Sequence, residues 1–163
     1  MAASLPEQIG AALRDGQFDP QHAGELFLRS DAQKALAAKL AGATIAVNGK
    51  DDVRGTGFLG ARYAPDLVVE QGGKKVAVTI TLLRGDASPV TTALAGALVL
   101  SGRYDGVVAF VLDRRLAKRN PFDDPKDEPE QRDLTDAEKS LVRQLSERHG
   151  VLLEVRRQDP FGW

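Results

Sequence analysis

Residues 106–112 read G-V-V-A-F-V-L and contain no polar side chain. As a strand, such a run is apolar on both faces, so the fold must cover it from both sides. It is far short of the roughly 18 residues a membrane-spanning helix needs. The residues before it sharpen the constraint. Ser88-Pro89 has the form of a helix start, and A-L-A-G-A-L-V-L continues it as far as Gly102. K-V-A-V-T-I-T-L (75–82) precedes that helix and is strand-like. Strand, helix and buried strand in succession imply a right-handed crossover between parallel neighbours, and hence a mixed sheet with helices packed on it.

The rest of the chain supplies more elements of the same kind. Ser4-Leu5-Pro6-Glu7 is a capping box and predicts a helix ending near Gly16. Asp19-Pro20 can cap a second start, with Leu26, Leu28, Leu36 and Leu40 on a helical rhythm; Ser30-Asp31 could restart it, so 20–41 holds one helix or two. T-I-A-V (44–47) is strand-like and runs into Asn48-Gly49, a tight-turn dipeptide. L-V-V-E (67–70) and 75–82 flank Gln71-Gly72-Gly73-Lys74, which predicts a hairpin with glycines at its tip. Thr135-Asp136-Ala137-Glu138 opens a helix to His149, and V-L-L-E-V (151–155) gives a last strand. The expected architecture is α/β, an α+β sandwich with a mixed β-sheet of about 4–5 strands flanked by helices. A single domain, 1–163, is expected, with 1–18 as an N-terminal helical extension and 113–134 as a long charged loop.

Composition enters mainly by exclusion. The chain has no cysteine, which removes disulfides, thiolate metal sites and cysteine nucleophiles, and suits a reducing, cytoplasmic setting. Net charge is −1, so any attraction for nucleic acid must come from a local basic face. The first residues carry no basic stretch followed by an apolar one, and no membrane association is expected. Gly55-Thr56-Gly57-Phe58-Leu59-Gly60 spells G-x-G-x-x-G, but Pro65 follows too soon for the helix whose N-terminus would hold a pyrophosphate. The two histidines, His22 and His149, fall on separate predicted helices and suggest surface or helix-end roles.

The chemistry centres on the hairpin. Along 75–82, Val76, Val78, Ile80 and Leu82 take one face while Ala77, Thr79 and Thr81 take the other. Asp66 follows Pro65 at the start of the preceding strand and can lie beside positions 79 and 81. Pro65-Asp66, the hairpin, and the pair of positions 79 and 81 resemble the motif of the PD-(D/E)xK nuclease superfamily, the restriction-endonuclease-like fold. The likeness in element order extends over roughly 20–156 and includes the leading helix, the meander, the helix of small residues and the buried strand. It implies a site in which two carboxylates hold Mg²⁺ to activate water and a lysine assists the attack. Here Thr79 and Thr81 stand where the acid and the lysine belong, so Asp66 is a remnant. Glu25 on the leading helix is the one further candidate ligand beside Asp66 for a metal. Glu70, Lys74, Lys75, Arg84 and Asp86 are the local residues from which a relocated site could be built, although Glu70 lies roughly 13 Å along the strand from Asp66. A plainer role for Asp66 is a side-chain bond to nearby backbone at the strand start.

A basic stretch follows the buried strand: Arg114, Arg115, Lys118 and Arg119. With Lys74, Lys75 and Arg84 it could track phosphates; alternatively its cations pair with the acids of 123–130. Phe161 and Trp163 could dock on a protein partner or on a second copy of the chain. The expected function is therefore a catalytically degenerate PD-(D/E)xK-like domain, a non-catalytic module for DNA or RNA binding or for protein assembly, with no cofactor. The alternatives are an active Mg²⁺-dependent nuclease with relocated residues and a pure protein–protein interaction domain.

Overall fold

A computed structural model describes residues 2–115 and 134–158. The described residues form α1 (Leu5–Asp15), α2 (Glu25–Lys39), β1 (Thr44–Val47), β2 (Thr56–Phe58), β3 (Ala61–Tyr63), β4 (Leu67–Gln71), β5 (Lys74–Leu83), α3 (Ser88–Ser101), β6 (Gly106–Asp113), α4 (Asp136–His149) and β7 (Val151–Arg157). Five strands make one sheet in the order β1-β4-β5-β6-β7, and β2 and β3 make a separate two-stranded sheet. The meander β1-β4-β5 is antiparallel, whereas β5, β6 and β7 run parallel, with α3 and α4 as the connecting helices.

β6 is the axis of the molecule. All eight of its residues are buried. On one face Val108, Phe110 and Leu112 join Ile9, Leu13, Leu28 and Leu36 from α1 and α2. On the other, Val107 and Ala109 join Ala97 and Leu100 of α3 and Leu145 of α4. The result is an α/β/α sandwich, as a strand apolar on both faces requires.

Local signals set the element ends. Ser4 Oγ accepts from the Glu7 N–H at 3.3 Å and Glu7 returns a carboxylate to the Ser4 N–H at 3.2 Å, so the capping box is complete. The turn of the β4–β5 hairpin places Gly72 and Gly73 at φ 62° and 79°, a geometry that two glycines adopt without steric cost.

Two expectations need correction. Residues 5–15 are not an extension beside the domain: Ile9 and Leu13 are fully buried, and α1 covers β6 and β7. The stretch 20–41 holds one helix, which starts at Glu25 rather than at Asp19-Pro20. Asp19 instead turns its carboxylate to the Gln21 N–H at 2.9 Å, which closes a local turn and leaves the chain non-helical there. The glycine-rich passage enters the β2–β3 hairpin, paired in register Thr56↔Tyr63 and Gly57↔Arg62, which packs on α3. Gly96 makes that packing possible, because a Cβ there would lie 2.9 Å from the Tyr63 ring.

Candidate functional site

Asp66 sits between the end of β1 and the start of β4, where the meander opens toward α2 and α3. Its N–H donates to the Val78 carbonyl at 2.8 Å, which continues the β4–β5 pairing by one residue. Each of its carboxylate oxygens accepts from one donor. One oxygen accepts from the Ile80 N–H at 2.7 Å and the other from Arg29 Nε at 2.7 Å. Both side chains are largely withdrawn from solvent, Arg29 being 13% and Asp66 16% exposed.

Arg29 was not singled out from the sequence, yet it organises this place. Its Nη1 donates to the Asn48 carbonyl at 3.2 Å, and its Nη2 stands 3.6 Å from Glu25, one turn back along α2. One guanidinium thus binds both carboxylates that the sequence offered as metal ligands and also ties α2 to the β1 turn. The only sequence signal for it is the Glu25–Arg29 spacing of four, which is common on solvated helix faces.

Burial pushes the Asp66 carboxyl above its ordinary range, against the Ile80 N–H and the Arg29 guanidinium, which both pull it down; Glu25 adds a small push upward. Burial thus outweighs both partners, which offset its penalty on the charged form only in part.

A cavity of about 620 Å³ opens beside Asp66, lined by Glu25 and Leu28 of α2, Ile80, Thr81 and Leu82 of β5, and Ser88, Pro89, Thr92 and Ala93 of α3. Thr81 faces this space. Thr79 has a buried Oγ1 with no hydrogen-bond partner among the described residues, so a neutral, unsatisfied hydroxyl stands where the resemblance implies an acid.

Mg²⁺ requires several hard anionic oxygens arranged in near-octahedral geometry. The residues here do not fit that demand. Asp66 gives both oxygens to a guanidinium and a backbone N–H, Glu25 is 83% exposed and drawn to the same arginine, and threonines stand at 79 and 81. Among the described residues no three acids or histidines come together as a metal-binding group.

The proposed relocation residues are dispersed. Glu70 and Lys75 face each other across β4 and β5 at the end remote from Asp66, with Lys74 beside them. Asp86 holds its carboxylate 2.7 Å from the Ser88 N–H at the start of α3, and the Ser88 side chain, with that N–H, holds it below the usual carboxylate range.

The described members of the expected basic face lie apart, at two ends of the sheet. Arg114 is 4% exposed, and its guanidinium binds the His22 carbonyl, the Asp19 carbonyl at 2.9 Å and the Gln158 side chain at 2.8 Å. It pins the chain before α2 to the end of β6 and presents nothing to a ligand. Arg115 folds back on Asp113 with two bonds of 2.9 Å. Lys74 and Lys75 open β5 while Arg84 follows its other end, so they are roughly 30 Å apart along the strand. Lys118, Arg119, Phe161 and Trp163 lie outside the described residues, as does most of the segment 113–134.

His22 is not on a helix. It lies in the turn before α2, 2.9 Å from Asp31 and stacked on Phe27 at 4.9 Å between ring centres. Asp31 also accepts from the Asp19 N–H at 3.2 Å, so this buried acid organises the turn. No helix among the described residues is long and apolar enough to cross a membrane. Neither a scan against protein-family models nor a search of curated proteins returned a match.

Proposed function

We propose that this chain is a catalytically silent relative of the PD-(D/E)xK nucleases, a module that binds a partner without cutting it. The observation that carries this reading is the Arg29–Asp66 ion pair at 2.7 Å, with Glu25 on the same guanidinium. The arginine supplies, as a fixed side chain, the positive charge that a metal would bring between two carboxylates. It offsets one of the two carboxylate charges and has no exchangeable water to activate, so the chemistry is lost. The Pro65-Asp66 start, the antiparallel meander and the parallel strand after α3 support the family resemblance. The cysteine-free composition supports a reducing, cytoplasmic setting.

The module's partner is a nucleic acid or a protein. A protein partner has a candidate surface in Leu26 and Phe27 on the first turn of α2, which are 67% and 58% exposed. An active nuclease with relocated residues is disfavoured, because the local acids and cations point to separate ends of the sheet.

Supercoiled plasmid, single-stranded DNA and RNA, each incubated with the protein in Mg²⁺ and in Mn²⁺, provide the test. All three substrates are expected to remain intact. Cleavage that Asp66→Ala abolishes would overturn the proposal. Light scattering with and without Phe27→Ser, alongside anisotropy of a labelled duplex, separates self-assembly from nucleic-acid binding.

A further inference from the structure

A second polar cavity, of about 490 Å³, opens at the base of the β2–β3 hairpin. It adjoins a cavity lined by Glu70 and Lys75, at the end of β4 remote from Asp66. Arg54, Arg62 and Arg103 line it against a single acid, Asp52. Among the described residues, none of the three guanidiniums makes an ion pair or a hydrogen bond. That sets them apart from Arg14, Arg29 and Arg115, which bind acids, and from Arg114 and Arg156, which bind backbone carbonyls. The other charges nearby are Glu70 and Lys75, which line the adjoining cavity as neighbours in register, and Asp105, which accepts from the Lys75 N–H at 2.8 Å.

The backbone builds this convergence. Tyr104 donates its hydroxyl to the Arg54 carbonyl at 2.5 Å, so the segment leading into β2 is tied to the turn that carries Arg103. Gly55 passes so close to β3 that a Cβ would lie 2.8 Å from the Tyr63 carbonyl oxygen. Arg62 is held opposite Gly57, which has no side chain to obstruct the opening.

Three arginines lining one cleft without an ion-pair partner place like charges near one another, and an oxyanion that accepts from them relieves that repulsion. A carboxylate offers two oxygens, whereas a phosphate offers three or more and a second charge, and so matches three planar forks. We propose that Arg54, Arg62 and Arg103 form a phosphate-binding cleft for the phosphate of a small phosphorylated molecule or of a nucleic-acid strand. This site goes beyond the silent-nuclease reading and does not depend on it: cleavage of plasmid would defeat that reading and leave the cleft untouched.

The test is an amide NMR titration of the whole chain with inorganic phosphate at low ionic strength. Saturable shifts are expected at residues 54–57, 62 and 103. Arg62→Gln and Arg103→Gln are each expected to weaken the fitted affinity by about tenfold while the remaining spectrum superimposes on that of the parent. Both side chains are exposed, so neither change threatens the fold. An oligonucleotide that displaces phosphate at far lower concentration assigns the cleft to a nucleic-acid strand; one that does not compete assigns it to a small phosphorylated molecule. Linear, unsaturated shifts, or shifts of equal size beside Arg84, Arg143 and Arg148, would overturn the proposal. Unchanged affinity in both glutamine variants would do the same.

Discussion

The Asp66 carboxylate illustrates how one partner decides the meaning of a motif residue. Replacing Asp66 by alanine leaves a guanidinium and the Ile80 N–H without their acceptor in a half-closed site. A loss of about 2–3 kcal/mol is expected for Asp66→Ala in urea unfolding. Arg29→Met combined with Asp66→Asn should lie within about 1 kcal/mol of the parent, since removing both charges leaves neither stranded. If the double variant is as damaged as the single one, the ion pair is not what holds the site. The raised carboxyl also gives a sign for pH. Folded Asp66 takes its proton at a higher pH than unfolded Asp66, so between those two values the folded state binds the extra proton. Its contribution to stability therefore falls as pH rises through that window, and stays reduced above it. The parent minus Asp66→Asn stability difference, measured across the acid range, should decline with rising pH; a difference that rises would reverse the assignment. Asp66 itself was legible in the sequence from Pro65 and the strand that follows. Arg29 was not, because its link to Asp66 spans 37 positions and no local pattern encodes it.

Among the elements, the β2–β3 hairpin departs most from its sequence signals. Its two-residue turn is Leu59-Gly60, with Leu59 at φ 49° and 92% exposed. A leucine in the left-handed region costs roughly 1 kcal/mol, and turn chemistry favours glycine or asparagine there. Leu59→Gly should therefore stabilise the chain by about 0.5–1 kcal/mol, seen as a higher urea midpoint with an unchanged slope. A destabilised variant would mean that the leucine contributes contacts its exposure does not suggest. With a leucine at its first turn position and strands of only three residues, G-T-G-F-L-G carries no clear hairpin signal in the sequence. The β4–β5 hairpin was legible because both of its turn positions are glycine and its strands alternate. The start of α2 was misplaced because Asp19-Pro20 satisfies the helix-start pattern while its carboxylate closes a local turn instead. Ser4 and Glu7 fit the same kind of pattern and do make the helix bonds. Sequence alone does not distinguish the two cases.

For the whole molecule, Arg114 is the cross-brace between the chain before α2 and the end of β6. Its three partners are contributed by residues 19, 22 and 158, far apart in the chain. Arg114→Ala is expected to cost about 2–4 kcal/mol, since two carbonyls and a side-chain oxygen lose a charged donor in a buried setting. Any affinity for nucleic acid, measured well below the melting temperature, should not change. A stable variant with weakened binding would return Arg114 to the surface role its sequence neighbours suggest. The sequence by itself determined the sandwich. A strand with apolar side chains on both faces has to be covered on both, and the helices and meander around it announce themselves through periodicity, caps and glycines, all of which act over a few residues. Tertiary structure alone decided which charges meet. Arg29 reaches Asp66, Arg114 turns inward, and Arg54, Arg62 and Arg103 gather at one cleft because the sheet brings distant segments together. A charged side chain carries no local preference for the partner it will find there.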